Sequence, residues 1–379
     1  MLTDKKKKYL SLIASEFVNK KKIIDIIEIK GGNINDTYEI IMPNYKYILQ
    51  RINTNVFKSP FGMMNNIKNI TEHIRNKVIY DGDNPQRSVL NIVKTKFGEI
   101  LCIKCGEYWR MMEYITGSKS YEIVPSKEVF YEMGKAVGRF QNLLKGFPTH
   151  LLDETIKHFH DTQYRYKVFL KTIKDKNERI EYCYEEIEFI KSYSYLFNYI
   201  TDKIKKKEIP IRVTHNDTKP SNVLFDEITN ESLCLIDLDT VMKGSILYDY
   251  GDALRIGASV VKEDEENIDL VNINIDYIDS FTESFLKEVK DTITVNEVKN
   301  LYYGYLIMTL ELSMRFLTDY FNFDKYFKIS YDEHNLIRAR NQMKVVTKIE
   351  ENKKVIENII NKSLIKLGYK KEYLIDRGE

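Results

Sequence analysis

Four cysteines in 379 residues, Cys102, Cys105, Cys183 and Cys234, are too few and too scattered for a disulfide framework. Cys102 and Cys105 have the spacing of half a zinc site. No second C-x-x-C and no H-x-x-x-H accompanies them, so they are read as ordinary strand cysteines. Net charge is equally scarce: 58 Lys and Arg against 56 Asp and Glu leave +2, which calls for neither nucleic acid nor a membrane surface as partner. The basic run Lys5–Lys8 is read as the solvated start of a helix. No stretch approaches the roughly 18 uncharged apolar residues of a membrane span, and Leu10–Ala14, followed by Glu16, is too short for a signal-peptide core. A cytoplasmic location is therefore expected. Internal repeats, low-complexity tracts and flexible linkers are also missing. The length suits one large or two moderate cores, and two lobes are expected.

Chemistry is concentrated in Val213–Asp239, which reads V-T-H-N-D-T-K-P-S-N-V-L-F-D and, after a short turn, L-C-L-I-D-L-D. Phosphoryl transfer from a nucleotide needs a carboxylate to take the proton of the acceptor hydroxyl and oxygen ligands for the metal on the phosphates. Asp217 is the candidate base, Asn222 and Asp237 the candidate metal ligands, and Lys219 lies two residues beyond the base, within reach of the transferred phosphate. The spacing H-x-D-x-K-x-x-N is that of a protein-kinase catalytic loop. A protein kinase would continue with D-F-G, a long activation segment and A-P-E. This chain has I-D-L-D and then, almost at once, Tyr248-Asp249-Tyr250-Gly251-Asp252.

That combination resembles the aminoglycoside phosphotransferase and choline kinase superfamily, with its H-G-D-x-x-x-x-N, I-D-x-D/E and later Y-D. Within it the chain is most similar to the N-acetylhexosamine 1-kinase subgroup, at Gly31–Tyr38, Tyr47–Asn53, His215–Lys219, Ile236–Met242 and Met314–Tyr320. Asn216 stands where the broader superfamily prefers glycine. The resemblance implies an α+β, bilobal, protein-kinase-like fold, with a small antiparallel β-rich N-terminal lobe and a large, mostly helical C-terminal lobe. Residues 1–115 would bind the nucleotide; residues 116–379 would carry the catalytic loop and acceptor site.

The residue pattern agrees with this division. An amphipathic helix is expected over Lys6–Lys20, followed by strands at Ile23–Ile29, Thr37–Met42 and Lys46–Ile52. Between the first two, Gly31, Gly32 and Asn33 could bring backbone N–H groups against phosphates. On the third strand a protein kinase carries its phosphate-anchoring lysine; here Arg51, Gln50 or Lys46 would take that place. A helix over Phe61–Tyr80 carries Glu72, either the partner of such a cation or a solvent-facing residue. Ser88–Lys94 and Glu99–Lys104 are expected to form a hairpin. Tyr108–Ile115 is the last strand of the lobe, its end Glu113, Tyr114 and Ile115 forming the hinge that hydrogen-bonds adenine in kinase folds. Trp109, the sole tryptophan, is assigned to the core.

Helices are expected thereafter at Lys127–Leu144, Phe159–Ile173, Arg179–Lys207, Ile268–Val289, Asn296–Phe321 and Asp332–Leu364. His158 and His160 are read as a surface helix start, His215 as a scaffold of the loop, and Asp239 as a supporting group behind the metal ligands. Asp249 and Asp252 are expected to begin a helix, where they could cap backbone N–H groups and tie that segment to the catalytic loop as structural residues. By the resemblance, ATP and magnesium would serve phosphorylation of the anomeric hydroxyl of N-acetylglucosamine or N-acetylgalactosamine. Arg315 and Tyr326 match positions that bind sugar in that subgroup, and could equally be packing residues. Rival readings are a kinase of choline, ethanolamine or an aminoglycoside, for which Glu311, Asp319 and nearby aromatics would cage a cation, and a nucleotide-binding module without catalysis.

Overall fold

The computed structural model describes residues 2–29, 34–175 and 177–376. Helix α1 (Asp4–Ala14) opens the chain, with the Thr3 hydroxyl accepting the N–H of Lys6. Strands β1 (Asp25–Ile29), β2 (Asp36–Ile41), β3 (Lys46–Ile52), β4 (Ile92–Val93), β5 (Cys102–Lys104) and β6 (Glu107–Glu113) make an antiparallel sheet in the order β1-β2-β3-β6-β4, with β5 also on β6. The expected hairpin between the segments around β4 and β5 does not form. Both pair along one edge of β6, at Met111–Met112 and at Glu107–Trp109 respectively, and Pro85–Ser88 is a helical turn. Proline at the first position of that turn favours helix over strand.

Side-chain alternation divides the sheet into two faces. Tyr38, Leu49, Trp109 and Met111 pack with Leu10, Ile13 and Ala14 of α1 in a core of their own. On the other face, Ile52 and Met112 join helix α2 (Pro60–Tyr80) and the helical half in a second, continuous core. Gln50 and Arg110, which face each other across β3 and β6, share this inner face.

The C-terminal half is mostly helical. Its main helices are α3 (Lys127–Leu143), α4 (Thr162–Thr172), α5 (Ile246–Gly257), α6 (Ile275–Glu288), α7 (Leu301–Phe321), α8 (His334–Glu351) and α9 (Lys353–Lys366). The single helix expected over Arg179–Lys207 is instead three short ones, Glu178–Glu181, Tyr184–Ser192 and Tyr199–Lys205. Ser192 turns its hydroxyl back onto the Phe189 carbonyl, competing with helix continuation. Asn352 likewise divides the last expected helix into α8 and α9, with its side chain on the Lys348 carbonyl. Short strands β7 (Ser118–Lys119), β8 (Arg212–Thr214), β9 (Val223–Asp226), β10 (Ser232–Leu235) and β11 (Met242–Gly244) frame the catalytic segment: β8 pairs with β11, and β9 with β10 and with β7. Among the described residues no helix is long and apolar enough to cross a membrane.

Helix α5 carries the aspartates that hold the catalytic loop, and its position is fixed by a close crossing with α7. A Cβ added at Gly251 would meet the Gly304 carbonyl oxygen at 2.2 Å, and one at Gly304 would meet the Leu247 carbonyl oxygen at 2.6 Å. Gly251→Ala should therefore destabilise the fold by about 1–3 kcal/mol through overpacking. The measurement is urea unfolding followed by circular dichroism; an unshifted midpoint would refute the crossing.

Candidate active site

The catalytic loop leaves β8 at Thr214 and is held from below by α5. The buried carboxylate of Asp249 accepts the N–H groups of His215 (2.9 Å) and Asn216 (2.8 Å), and the Gln141 amide (2.7 Å). Asp252, one turn later, accepts the N–H of Thr218 (2.9 Å). Burial pushes the Asp249 carboxyl up, while His215 and these donors pull the other way. The expected structural role of both aspartates is what the hydrogen bonds show. His215 is likewise a scaffold: Nε2 meets the Ile236 carbonyl at 2.9 Å, so it carries the proton, and Nδ1 accepts the N–H of Asp217 at 3.3 Å.

Asn216 has φ +65°, the left-handed region that explains glycine as the usual occupant. Asparagine tolerates it here because its side-chain amide reaches the Thr240 carbonyl at 2.8 Å. The turn presents Asp217, whose Oδ2 accepts Lys219 Nζ (3.1 Å) and Asn222 Nδ2 (2.9 Å). Burial raises the Asp217 pKa, but the Lys219 charge and these hydrogen bonds pull the other way and the carboxyl is held below the usual range. Its Oδ1 accepts no hydrogen bond among the described residues and remains open to an acceptor hydroxyl. Lys219 is correspondingly held up by Asp217 and Asp237 against the cost of its own burial.

Asp237 follows β10 at φ +60°. Burial, with the Asp239 and Asp217 carboxylates beside it, pushes its pKa up to about 6. Its carboxylate accepts no hydrogen bond among the described residues, and Asn222 has donated its amide nitrogen, leaving its amide oxygen. A carboxylate and an amide oxygen facing unbalanced negative charge are a donor set that fits a divalent cation.

Asp239 has a different task. It is 2% exposed and pairs with Arg110, while its Oδ2 accepts the Asn35 amide at 2.6 Å. Arg110, 1% exposed, also donates Nε to the side-chain Oε1 of Gln50 at 2.9 Å. The expectation for Arg51 needs correction. It projects from the opposite face of β3, where Asp36 (2.8 Å from Nε) and Glu107 (2.7 Å from Nη1) occupy it. Strand alternation puts Gln50, not Arg51, toward the catalytic residues. Lys46 pairs with Glu39 (2.6 Å) and lies over the Tyr114 ring, and Glu72 is exposed. Arg110 was overlooked, although one charge amid Tyr-Trp-Arg-Met-Met is a visible signal for a buried partner.

At the hinge, Glu113 donates its N–H to Asn91 (2.9 Å) and Tyr114 to Lys46 (3.0 Å). Ile115 donates to no group among the described residues, and its carbonyl accepts the Ser118 hydroxyl at 2.6 Å. Gly31, Gly32 and Asn33 lie outside the described residues.

Arg315 and Tyr326 come together. The Arg315 guanidinium lies 5.0 to 5.8 Å from the ring centres of Phe159, Phe327 and Tyr326. One turn back on α7, Glu311 accepts His160 Nδ1 (2.8 Å) and the Thr162 hydroxyl (2.6 Å), and His160 Nε2 reaches the Asn216 carbonyl at 3.2 Å. This chain of contacts runs from Arg315 to Asn216, the residue before Asp217. His160 is thus buried rather than part of a surface helix start; Asp161 caps α4 after it.

The matching protein-family model, the phosphotransferase enzyme family, covers residues 25–273, well over half of the chain. The chain belongs to that family. Solved structures with the same fold include an aminoglycoside phosphotransferase from Alicyclobacillus acidocaldarius (12% identity, 97% of each chain, TM-score 0.58). A microcompartment-associated aminopropanol kinase is 14% identical over 92% of this chain and 98% of its own, with TM-score 0.59. Choline kinase from Cryptosporidium parvum is 12% identical over 93% and 97%, with TM-score 0.56.

Removing the arginine of a buried pair leaves its carboxylate uncompensated, at a cost of about 3–5 kcal/mol. Arg110→Met should lose stability on that scale in urea unfolding, and adding Asp239→Asn should recover part of it. Strictly additive losses would show that the pair does not interact.

Proposed function

We propose that this protein is a small-molecule kinase that transfers the γ-phosphate of ATP to a sugar hydroxyl. The acceptor we assign is the anomeric hydroxyl of an N-acetylhexosamine, N-acetylglucosamine or N-acetylgalactosamine, giving the sugar 1-phosphate. Family membership and the loop geometry support the phosphotransferase part. The observation that favours a sugar over choline, ethanolamine or an aminoglycoside is the position of Arg315. A cationic acceptor would need free aromatic faces and free carboxylates, but the rings of Phe159, Tyr326 and Phe327 surround a guanidinium. Glu311 is engaged by His160 and Thr162, and Asp319 accepts the N–H groups of Tyr326 and Phe327, both at 2.9 Å.

In this reading residues 1–115 form the nucleotide lobe and residues 116–379 the catalytic and acceptor lobe. Adenine binds the free N–H of Ile115, beside the Glu113 carbonyl and Tyr114. Gly31, Gly32 and Asn33 approach the phosphates, and Arg110 replaces Arg51 as the cation of the inner sheet face. Asn222 and Asp237 would hold magnesium, which when bound neutralises charge on the β- and γ-phosphates. Asp217 orients the acceptor hydroxyl and takes its proton on the open Oδ1. Lys219, paired with Asp217 before the reaction, offsets charge on the transferring group. Arg315 and Tyr326 contact the sugar.

Asp217→Asn keeps the shape of the loop but removes the base, so turnover should fall by about 10²–10⁴-fold with ATP affinity nearly unchanged. ADP release with a panel of N-acetylhexosamines, choline and kanamycin reads the first quantity, and calorimetry with ATP the second. Unchanged turnover would remove Asp217 from the mechanism; turnover with choline or kanamycin alone would overturn the sugar assignment.

A further inference from the structure

Between α4 and α7 lies a cavity of about 150 Å³ whose lining includes Arg165, Arg315, Thr318, Asp319, Tyr326 and Phe327. Its two arginines lack anionic partners of the usual kind. The Arg315 side chain is 9% exposed and makes no hydrogen bond among the described residues; the nearest carboxylate oxygen, on Glu311, is 3.9 Å away. Arg165 directs Nε and Nη2 to one backbone oxygen, that of Phe159, at 3.3 and 3.2 Å. Burial, with the like charge of Arg315 next, holds the Arg165 pKa down. Glu311 offsets part of the two positive charges through space, but neither carboxylate at this site offers an oxygen within hydrogen-bond distance of either guanidinium. Glu311 has both oxygens hydrogen-bonded to His160 and Thr162, and Asp319 has both on backbone N–H groups, with the Asn335 amide added at 3.1 Å.

A buried guanidinium with unused donors costs free energy unless a ligand supplies the acceptors. Two guanidinium forks at one cavity match the paired oxygens of a carboxylate or phosphate, and match neither a hydroxyl nor an ammonium group as well. The location connects the cavity to catalysis. Arg315 stands one helical turn, about 6 Å, beyond Glu311, which reaches the Asn216 carbonyl through His160. We propose that Arg165 and Arg315 form a subsite for an anionic substituent of the acceptor sugar, a carboxylate in the first instance, so that a sugar carrying one binds more tightly than the same sugar without it. The proposal rests on the sugar-kinase reading for its place in the reaction, and adds Arg165 to the groups that decide specificity.

The test uses sugars matched except for the anion: glucuronate against glucose, and galacturonate against galactose. Calorimetry on the full chain without ATP should show at least one uronate binding about tenfold or more tightly than its neutral counterpart. Arg165→Met and Arg315→Met should each abolish that preference, while Arg165→Lys, which keeps the charge and loses the fork, should retain part of it. Thermal unfolding of each variant identifies any that fails to fold, and the lysine variant then carries the comparison. Equal binding of both uronates and their neutral counterparts to the wild-type protein would overturn the subsite. So would sulfate binding that neither uronate displaces, since that marks a site for a free anion. Because binding is read without nucleotide, absence of any kinase activity would sink the functional assignment alone. Turnover of neutral sugars with no uronate preference would sink the subsite alone.

Discussion

The carboxylate of Asp249 is the interaction on which the site depends. It lies in the interior, where an ionised group is tolerated only if donors surround it, and three N–H groups converge on it from the catalytic loop and α3. Two of those donors are consecutive backbone amides, so the bend that follows Thr214 is set by the side chain of a helix more than thirty residues later. The left-handed turn at Asn216, the outward placement of Asp217 and the approach of Asn222 all follow from it. Asp252 repeats the arrangement one turn along α5. The close crossing of α5 and α7 at two glycines is therefore part of the site, although neither glycine comes near a substrate.

Charge is separated by task along the segment after β10. Asp237 accepts no hydrogen bond among the described residues, and burial with the carboxylates of Asp239 and Asp217 outweighs the nearby cations Lys219 and Arg110. Asp239, two residues on, is already neutralised by Arg110 and Asn35 from the sheet. Similar side chains two positions apart thus do opposite things: one is left open to the reaction, and the other joins the two halves of the molecule.

Much of this was legible in the residues. The loop spacing singles out Asp217, Asn222 and Asp237 as candidates, and the structure brings the first two into hydrogen-bond contact at 2.9 Å. The roles of His215, Asp249 and Asp252 as supports follow from polar residues lying on either side of a short buried strand. The anchoring cation was misplaced because registering a strand by one residue reverses every side chain: Arg51 and Gln50 are neighbours in sequence and face opposite cores. The pairing of His160 with Glu311 escapes the sequence for a different reason. The two lie about 150 residues apart, and no local pattern announces a pairing at that range. The broken helices after Arg179 reflect serine and asparagine side chains competing for backbone carbonyls, which hydrophobic periodicity does not register.

The two separate cores have an architectural consequence. Asn66 of α2 donates to the carbonyls of Val241 and Asp153, and the apolar side of that helix belongs to the larger core, whereas α1 and the outer sheet face keep a small one to themselves. Sheet and helical half therefore meet on the inner sheet face, through Ile52, Met112 and the Arg110–Asp239 pair, with α1 on the far side of the strands.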